Sequence, residues 1–298
     1  MKITIIGNGS ALPAYGRFPT AQVIEINQQL FLIDCGEGTQ MRMKQFDIKS
    51  MRINHLFISH AHGDHYFGLV GLISSMALLG REKKLYIYCN AFIKKVIDLQ
   101  IPWNLSFEIE YRFIAEGEHA LLVQHEKYEV SCFPVNHSVP THGFLFVEKK
   151  RKRILLPDKV KQYEIPTYFY SKLTEGEDYI DKYQQVIQNE WVTTEGNPYK
   201  KYAFCADTIF NSEICKYIHG VDLLYHETTY LQDNLLKAKE RYHSTAIEAA
   251  TIAKMADCKH LIIGHFSSKY KDILPFQEEA RSIFEYTDLA LEGEVFEL

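Results

Sequence analysis

Hydrophobic residues recur along this chain in short runs, and glycine, proline, asparagine or charged residues bound most of them. Short runs rich in Ile, Val, Phe and Tyr are typical of β-strands, because branched and aromatic side chains pack well on a pleated surface. The pattern predicts strands over residues 3–6, 22–26, 30–33, 56–59, 85–89, 109–114, 120–125, 128–135, 144–147, 202–206, 223–226 and 261–264.

Segments of helix-forming residues lie between these strands. The helix predicted over residues 67–79 would pack closely through Gly68, Gly71 and Ala77, and Asn211 or Ser212 would cap another. Strands and helices mixed in two successive halves predict an α/β fold, with two mixed sheets packed face to face and the helices outside. The predicted helices cover residues 37–46, 67–79, 91–99, 211–218, 245–256 and 275–284.

Residues 148–200 differ from the rest of the chain. This segment is charged and rich in tyrosine, and it shows only weak hydrophobic periodicity. It opens with the letters EKKRKR and ends with EGNPYK. We interpret it as an arm-like insertion between two core strands of a single domain, residues 1–298.

Composition and charge limit the classes of function. The 298 residues are 46% hydrophobic and 24% charged, which is typical of a globular protein. The formal net charge of −5 excludes a global basic signature of nucleic-acid binding. If an RNA is the ligand, the positive charge that binds it must be local.

The cysteines and the apolar runs bear on the compartment. No two cysteines form a C-x-x-C pair, so they are interpreted as small apolar residues in a reducing compartment. The longest apolar run, residues 68–80, is too short to span a bilayer. The chain starts with a strand and a glycine-rich bend, which predicts no signal peptide. We therefore expect a soluble cytoplasmic protein whose cysteines, Cys35, Cys89, Cys132, Cys205, Cys215 and Cys258, form no disulfide frame.

Three histidines and an aspartate crowd the stretch FISHAHGDHYFGL, residues 57–69. His60, His62, Asp64 and His65 follow a predicted strand, and these are ligand types of zinc-like divalent metals. One catalytic metal needs fewer ligands, since it keeps an open position, so the set suits two metals. The alternative is a solvated histidine-rich loop, but chance produces H-x-H-x-D-H only about once in a thousand times.

Two metals need further ligands from distant parts of the chain. His137, Asp207 and His265 each stand at the end of an apolar strand-like run, as His60 does. Strand ends that meet at one rim of a sheet can bring such residues together. Taken alone, a histidine at a strand end is more often a structural residue, so these three depend on the cluster.

Further motifs resemble one known family. The stretch H-x-H-x-D-H with downstream His, Asp and His is similar to the pattern of the metallo-β-lactamase superfamily. The remaining motifs resemble its ribonuclease Z branch, the tRNA 3′-processing endonucleases. They are GNGSALP (7–13), FLIDCGEGTQMRM (31–43), HET (226–228), HST (243–245) and GHFSSKY (264–270).

The resemblance implies an αββα sandwich with two divalent metals, zinc as the ion, at one edge. It implies a homodimer whose partner is precursor tRNA, cut after the discriminator nucleotide to leave a 3′-hydroxyl and a 5′-phosphate. It also implies a ligand set: His60, His62 and His137 for one metal, Asp64, His65 and His265 for the other, and Asp207 as the bridge.

The same reaction needs proton transfers and phosphate contacts. Asp64 can accept a proton from water, and His243 is the expected donor to the 3′-oxygen, oriented by Glu227 or another carboxylate. The alternative for His243 is a solvated residue before a helix cap. Ser267 and Ser268 can donate hydrogen bonds to a phosphate, although simple loop polarity explains them equally well.

Two departures from the family concern the RNA. Family members carry an arm that grips the tRNA elbow, often with a Gly-Pro element, and residues 165–173 have none at the expected place. The basic run 149–153, with Lys149 and Arg151 as the predicted phosphate contacts, can bind RNA or form a solvated hairpin end. The stretch GRFPTAQ (16–22) stands where the family has Arg-Asn.

Three functions are therefore considered. The first is an endoribonuclease that cleaves precursor tRNA. The second is a phosphodiesterase or other hydrolase of small molecules on the same fold, which the acidity of the chain and the altered arm favour slightly. The third is a metal-binding module without catalysis, and the complete ligand set argues against it.

Overall fold

The computed structural model describes residues 1–101, 103–149, 152–196 and 199–298. These residues form two compact units. The first consists of residues 1–147 together with 201–298, and the second of residues 148–200. The second unit contains the charged, tyrosine-rich segment of the sequence.

The first sheet of the larger unit has seven strands. In spatial order the strands are β20 (Val295–Glu297), β1 (Lys2–Gly7), β3 (Ala21–Ile26), β4 (Gln29–Ile33), β5 (Ile53–Phe57), β6 (Leu85–Cys89) and β7 (Ile109–Phe113). The N-terminal strands β1, β3 and β4 pair antiparallel, whereas β4, β5, β6 and β7 pair parallel.

The second sheet also has seven strands and is mixed as well. In spatial order the strands are β19 (Thr287–Leu289), β17 (Leu261–Gly264), β16 (Leu223–Glu227), β15 (Lys201–Cys205), β10 (Thr141–Glu148), β9 (Tyr128–Val135) and β8 (Ala120–Gln124). The strands β15, β16, β17 and β19 run parallel, while β10 pairs antiparallel with β15. A short pair, β2 (Gly9–Ser10) with β18 (Phe266–Ser267), stands apart.

Alternate residues of each strand enter different cores, as the two-residue period of a strand dictates. Phe31 and Phe57 of the first sheet pack with Phe144 and Phe204 of the second, which forms the core between the sheets. The neighbouring residues of the first sheet pack against three helices, α1 (Thr39–Gln45), α3 (Leu69–Leu78) and α4 (Ala91–Gln100). Those of the second sheet pack against α8 (Cys215–Ile218), α10 (Ala246–Met255) and α11 (Leu274–Arg281). The predicted αββα sandwich is confirmed.

The helices of this unit, like its strands, end close to the glycine and polar residues that bound them in the sequence. Three-residue 3-10 turns cover Ser50–Arg52, Ser212–Ile214 and Gln232–Asn234. The helices are α1 (Thr39–Gln45), α2 (Gly63–Tyr66), α3 (Leu69–Leu78), α4 (Ala91–Gln100), α8 (Cys215–Ile218), α9 (Leu235–Glu240), α10 (Ala246–Met255) and α11 (Leu274–Arg281).

The helix predicted over residues 67–79 is shorter than expected, because α3 spans Leu69–Leu78 and a separate helix, α2, ends at Tyr66 before Gly68. The Gly68 N–H donates to the carbonyl oxygen of Cys35, and a Cβ on Gly68 would lie 2.2 Å from the carbonyl oxygen of Gly36. Only glycine allows that approach. The strand predicted over 56–59 was also misplaced, since β5 spans Ile53–Phe57.

The smaller unit has its own apolar core around Val160, Leu173 and Val192. Its helices and two-stranded ladders are short. They are β11 (Ile154–Leu155) with β14 (Thr193–Thr194), β12 (Tyr179–Ile180) with β13 (Val186–Ile187), α5 (Pro157–Gln162), α6 (Tyr170–Glu175), α7 (Asn189–Val192) and a 3-10 turn at Thr167–Phe169. In the described part of the chain, no helix is both long and apolar enough to span a membrane.

Candidate metal centre and active site

The histidine-rich stretch follows the end of β5. His60 and His62 lie in the connecting loop, and Asp64 and His65 lie in α2. Three later residues follow the ends of β9, β15 and β17 and meet the same rim; they are His137, Asp207 and His265. The ends of four strands therefore bring these seven residues to one rim of the fold.

The first group of potential ligands consists of His60, His62, His137 and Asp207. The His60 Nε2 atom lies 3.0 Å from His62 Nδ1, and His137 Nε2 lies 3.2 Å from the same atom. Asp207 Oδ2 is 3.7 Å from His60 Nε2 and 3.9 Å from His137 Nε2. The donor atoms of these four residues all lie within 4.8 Å of one another, so they could bind one metal ion.

The second group consists of Asp64, His65 and His265. Asp64 Oδ2 lies 3.7 Å from His65 Nε2 and 3.4 Å from His265 Nε2. Asp207 also borders this group, because its Oδ2 is 3.4 Å from His65 Nε2 and its Oδ1 is 3.3 Å from His265 Nε2. Asp207 is thus the residue placed between the two groups.

Both groups fit divalent metals. Zinc–nitrogen bonds of about 2.0 Å in a tetrahedron put neighbouring donors roughly 3.3 Å apart, which matches the spacings above. His65 Nε2 and Asp207 Oδ1 are buried, and within the described residues neither has a hydrogen-bond partner. Buried polar atoms of this kind are normally satisfied, so a cation is the partner that their position calls for.

Outer contacts orient four of the histidine rings. His65 Nδ1 donates to Asp34 Oδ2 at 2.8 Å, and His137 Nδ1 donates to the Tyr242 carbonyl oxygen at 2.8 Å. His60 Nδ1 lies 3.0 Å from Ser59 Oγ, and His265 Nδ1 lies 3.0 Å from Thr229 Oγ1. A partner at Nδ1 leaves the lone pair on Nε2 for a metal.

Half-buried His243 and buried Glu227 form a pair beside Asp207. His243 Nδ1 lies 3.0 Å from Glu227 Oε1, and Glu227 also accepts the backbone N–H of Thr229 and Ser244. Burial lowers the pKa of His243, but the charge and hydrogen bond of Glu227 outweigh it and raise that pKa to about 9. The imidazole is therefore protonated at neutral pH and able to donate a proton.

His243 has a second possible role. Asp207, His243 and His265 form a third group whose donor atoms lie within 4.8 Å of one another. His243 Nδ1 is 4.0 Å from Asp207 Oδ2 but only 3.0 Å from Glu227 Oε1. The shorter contact favours pairing with Glu227 over metal ligation.

The carboxylates of the site are ionised. Burial disfavours the charged form of Asp64, but His65 and His265 hold its pKa well below its usual range. Burial acts against Asp207 in the same way, and the charges of His265 and His65 lower its pKa. Burial alone would lower the pKa of His65, but the same carboxylates raise it well above its usual range. A divalent cation would take the place of that proton, since ionised carboxylates and deprotonated imidazole nitrogens are the donors it prefers.

The predicted substrate contacts lie in three places. Ser267 belongs to β18, and its Oγ accepts the N–H of Lys269 at 3.2 Å. Ser268 follows it and is half-buried. Lys149 belongs to the smaller unit, and Arg151 lies outside the described residues. Their contacts with a phosphate stay predictions.

Comparisons with known proteins agree with this geometry. Ribonuclease Z of Bacteroides fragilis is 40% identical over 295 residues, which cover 98% of this chain and 97% of that protein. Ribonuclease Z of Porphyromonas gingivalis is 41% identical over 294 residues, 97% of this chain and 96% of that one. The chain belongs to the ribonuclease Z family. A family model described as anti-Pycsar protein Apyc1 also matches residues 1–146.

Solved structures give the same fold. The crystal structure of human tRNase Z, short form, superposes with a TM-score of 0.73 at 25% identity and covers 100% of this chain and 99% of that one. The metallo-β-lactamase fold protein YhfI from Bacillus subtilis gives 0.70 at 16% identity over 99% and 98% of the two chains. The resemblance drawn from the motifs is confirmed.

Within this ribonuclease Z family member, sequence reasoning missed the residues that orient the ligands. Asp34 lies in the motif FLIDCGEGT at the end of β4, which was a signal for it. Thr229 directly follows the motif HET, and nothing in its spacing pointed to His265. The carbonyl of Tyr242 has no signal in the sequence at all.

Proposed function

We propose that the protein is a metal-dependent endoribonuclease that removes 3′ trailers from precursor tRNA. One observation carries the proposal: in a ribonuclease Z family member, one group of metal-type donors includes Asp207, a second group borders it, and both stand beside the His243–Glu227 pair. A site of this kind suits the hydrolysis of a phosphodiester.

The first step of the proposal is the metals. His60, His62 and His137 would hold one zinc ion, Asp64, His65 and His265 a second, and Asp207 both. Two divalent ions supply charge that activates water and stabilises the attacking and leaving oxygens of the phosphate. The protein contributes the fixed orientation of the ligands, because Asp34, Ser59, Thr229 and the Tyr242 carbonyl hold their rings.

The proton transfers belong to the chain itself. Water attacks the phosphorus, its oxygen forms the new P–O bond, and Asp64 accepts its proton. The bond from phosphorus to the 3′-oxygen breaks, and His243 gives its proton to that oxygen. Glu227 keeps the imidazole oriented and stabilises its charge. The products are a tRNA with a 3′-hydroxyl and a trailer with a 5′-phosphate.

Contacts to the RNA are proposed at two places. Ser267 and Ser268 would donate hydrogen bonds to a phosphate near the metals. The insertion would grip the tRNA body, with Lys149 and Arg151 among its phosphate contacts. In the same basic run, Lys152 pairs with Glu175 at 2.9 Å, and Arg153 Nε donates to Thr193 Oγ1 at 2.7 Å.

We further propose a cytoplasmic homodimer, which the family resemblance implies. Each described cysteine is a free thiol, as a reducing compartment requires. Light scattering of the purified protein measures the mass in solution. A mass of one chain at micromolar concentration would contradict the dimer and leave the catalytic proposal intact.

A cleavage assay tests the proposal as a whole. Metal-loaded protein is incubated with a precursor tRNA that carries a 3′ trailer, and the ends of the products are mapped. We expect one cut after the discriminator nucleotide, with a 3′-hydroxyl on the tRNA. Cuts at many sites, or none with metal bound, would contradict the proposed function.

The second candidate is a phosphodiesterase of small molecules. The net charge of −5 and the missing Gly-Pro element of the arm favour it. The same protein preparation is therefore assayed on a nitrophenyl phosphodiester. Hydrolysis of that compound without cleavage of precursor tRNA would support the second candidate over the first.

A further inference from the structure

A group of cations lies beside His243 that the proposed mechanism does not use. Lys237 in α9 and Arg241 just after it are four residues apart, so they point to the same side of the helix. The ammonium of Lys237 lies 5.9 Å from the centroid of the Tyr230 ring, and that ring lies 6.2 Å from the His243 ring. Both cations are exposed.

Lys269 joins the same side of α9. Its ammonium donates to Asn234 Oδ1 at 2.7 Å, and Asn234 is one helical turn before Lys237. It also lies 5.2 Å from the centroid of the Tyr270 ring. These contacts are with neutral groups, so they leave the positive charge of Lys269 available to an anion. Lys269 follows directly on Ser267 and Ser268.

An exposed aromatic ring completes the group. Tyr242 has φ of 56°, a conformation that costs a bulky residue energy. The conformation lets its carbonyl accept the hydrogen bond of His137. Its side chain is 42% exposed and directly precedes His243. An aromatic face is therefore exposed to solvent next to His243, the residue proposed to protonate the leaving oxygen.

We propose that Lys237, Arg241, Tyr242 and Lys269, here called the cationic ridge, bind the tRNA end on the 5′ side of the cleaved bond, which consists of the unpaired discriminator nucleotide and the adjoining acceptor stem. The inference rests on the proposed function, because the oxygen that His243 protonates belongs to the nucleotide on that side. The three cations contact backbone phosphates, and the Tyr242 ring stacks on a base.

The chemistry of the cationic ridge fits an unpaired nucleotide at the end of a stem. An unpaired base can stack on an aromatic side chain, and cations beside it can bind the phosphates of the backbone. The chain as a whole is acidic, so three cations gathered at one edge of the active site provide the local positive charge that an RNA ligand requires. A small phosphodiester, the substrate class of the second candidate function, carries a single negative charge and would not need all three.

Charge-neutralising variants test the cations. The ligand is the product tRNA that ends in a 3′-hydroxyl, which binds the metal-loaded protein without being cut. We expect Lys237→Gln with Arg241→Gln to weaken binding about tenfold and to reduce the slope of log Kd against log salt by about 1.8, since each phosphate contact contributes roughly 0.9 on a duplex such as the acceptor stem.

Lys239→Gln is the matched control. Lys239 lies on the same helix but two residues from Lys237, which turns it to another side. On that side Lys239 lies near Glu248. Burial raises the pKa of Glu248, and the charge of Lys239 acts to lower it. We expect Lys239→Gln to bind product tRNA with the affinity and salt slope of the unsubstituted protein. An equal loss in the control would overturn the assignment to this ridge.

Two variants test the stacking of Tyr242. Asparagine tolerates positive φ, so Tyr242→Asn removes the ring while it keeps the backbone that binds His137. We expect it to weaken product tRNA binding roughly 5- to 100-fold, the range for a lost base stack, and Tyr242→Phe to restore binding. Metal content, measured in the same samples, stays at that of the unsubstituted protein if the His137 contact is preserved.

The trailer RNA separates the two sides of the cleaved bond. A trailer with a 5′-phosphate should bind the ridge variants as it binds the unsubstituted protein. Weaker trailer binding with unchanged tRNA binding would overturn the proposal, as would unchanged binding of both. If the unsubstituted protein cuts no precursor tRNA, the proposed function itself fails, and that outcome is recognised before any variant is made.

Discussion

At the scale of single residues, Asp207 carries the most distinctive prediction. Both groups of donors include or border this carboxylate, so Asp207→Asn should lower metal content below that of the unsubstituted protein. Activity should fall by more than the roughly 100-fold that loss of an outer contact causes. Elemental analysis of dialysed protein measures the metal. Asp288→Asn is the control, because that carboxylate pairs with Arg281 on the surface.

His243 is the second residue whose role can be measured. A ribose 3′-oxygen needs a proton as it leaves, whereas a nitrophenolate is stable as an anion. His243→Ala should slow cleavage of precursor tRNA by about 10² to 10⁴-fold and hydrolysis of a nitrophenyl phosphodiester far less. Unchanged metal content agrees with a proton donor. Loss of metal would instead assign His243 to the third donor group.

His55 provides a test of pH dependence away from the metal centre. Burial lowers the pKa of His55 to about 4, and its ring stacks on the Tyr86 ring with the two centroids 4.9 Å apart. Between that pKa and the unfolded value near 6.5, the unfolded chain binds a proton that the folded chain does not, so stability falls as pH decreases. From pH 7 to pH 5, the free energy of unfolding should fall by about 2 kcal/mol.

Comparison of the unsubstituted protein with His55→Phe isolates this effect. Urea unfolding at pH 7 and pH 5 gives the free energy of unfolding of both proteins. The variant should lose less stability on acidification, because phenylalanine keeps the aromatic stack and has no proton to bind. Equal losses in the two proteins would show that His55 does not control the acid sensitivity.

At the scale of elements, the start of α4 depends on one side chain. The Asn90 side chain accepts the backbone N–H of Phe92 at 3.0 Å and of Ile93 at 3.4 Å. Asn90→Ala should lower the free energy of unfolding by about 1 kcal/mol, whereas Asn90→Ser keeps a capping oxygen and most of the stability. Denaturant unfolding measures both, and metal content should not change in either.

At the scale of the whole molecule, the chain permits removal of the insertion. Val147 and Lys201 are direct partners across the antiparallel strands β10 and β15. A two-residue Asn-Gly turn can therefore join them in place of residues 148–200. We expect the shortened protein to fold and bind metal, because the core clusters of the larger unit contain no residue of the segment.

The shortened protein should bind precursor tRNA more weakly and with a smaller salt slope, because the segment contains ten of the 33 Lys and Arg residues of the chain. Filter binding at several salt concentrations measures both quantities. Unchanged binding would mean that the insertion is not an RNA-gripping arm. Loss of metal would show that the segment supports the larger unit.

The sequence by itself determined the features that depend on neighbours along the chain. Hydrophobic runs located most strands of both sheets, since burial on a sheet requires apolar side chains at close spacing. The spacing of His60, His62, Asp64 and His65 is local, so it indicated the metal centre directly. The short strands β19 and β20 and the charged helix α9 carried too few apolar residues to be recognised.

The tertiary structure decided which distant residues meet. Asp34 contacts His65 across 31 positions, Thr229 contacts His265 across 36, and the Tyr242 carbonyl contacts His137 across 105. No local pattern encodes such contacts, because they arise from the crossing of strands that the whole core holds in register. The fold alone also gathers Lys237, Arg241 and Lys269, since cations on separate segments become one surface only when the segments pack together.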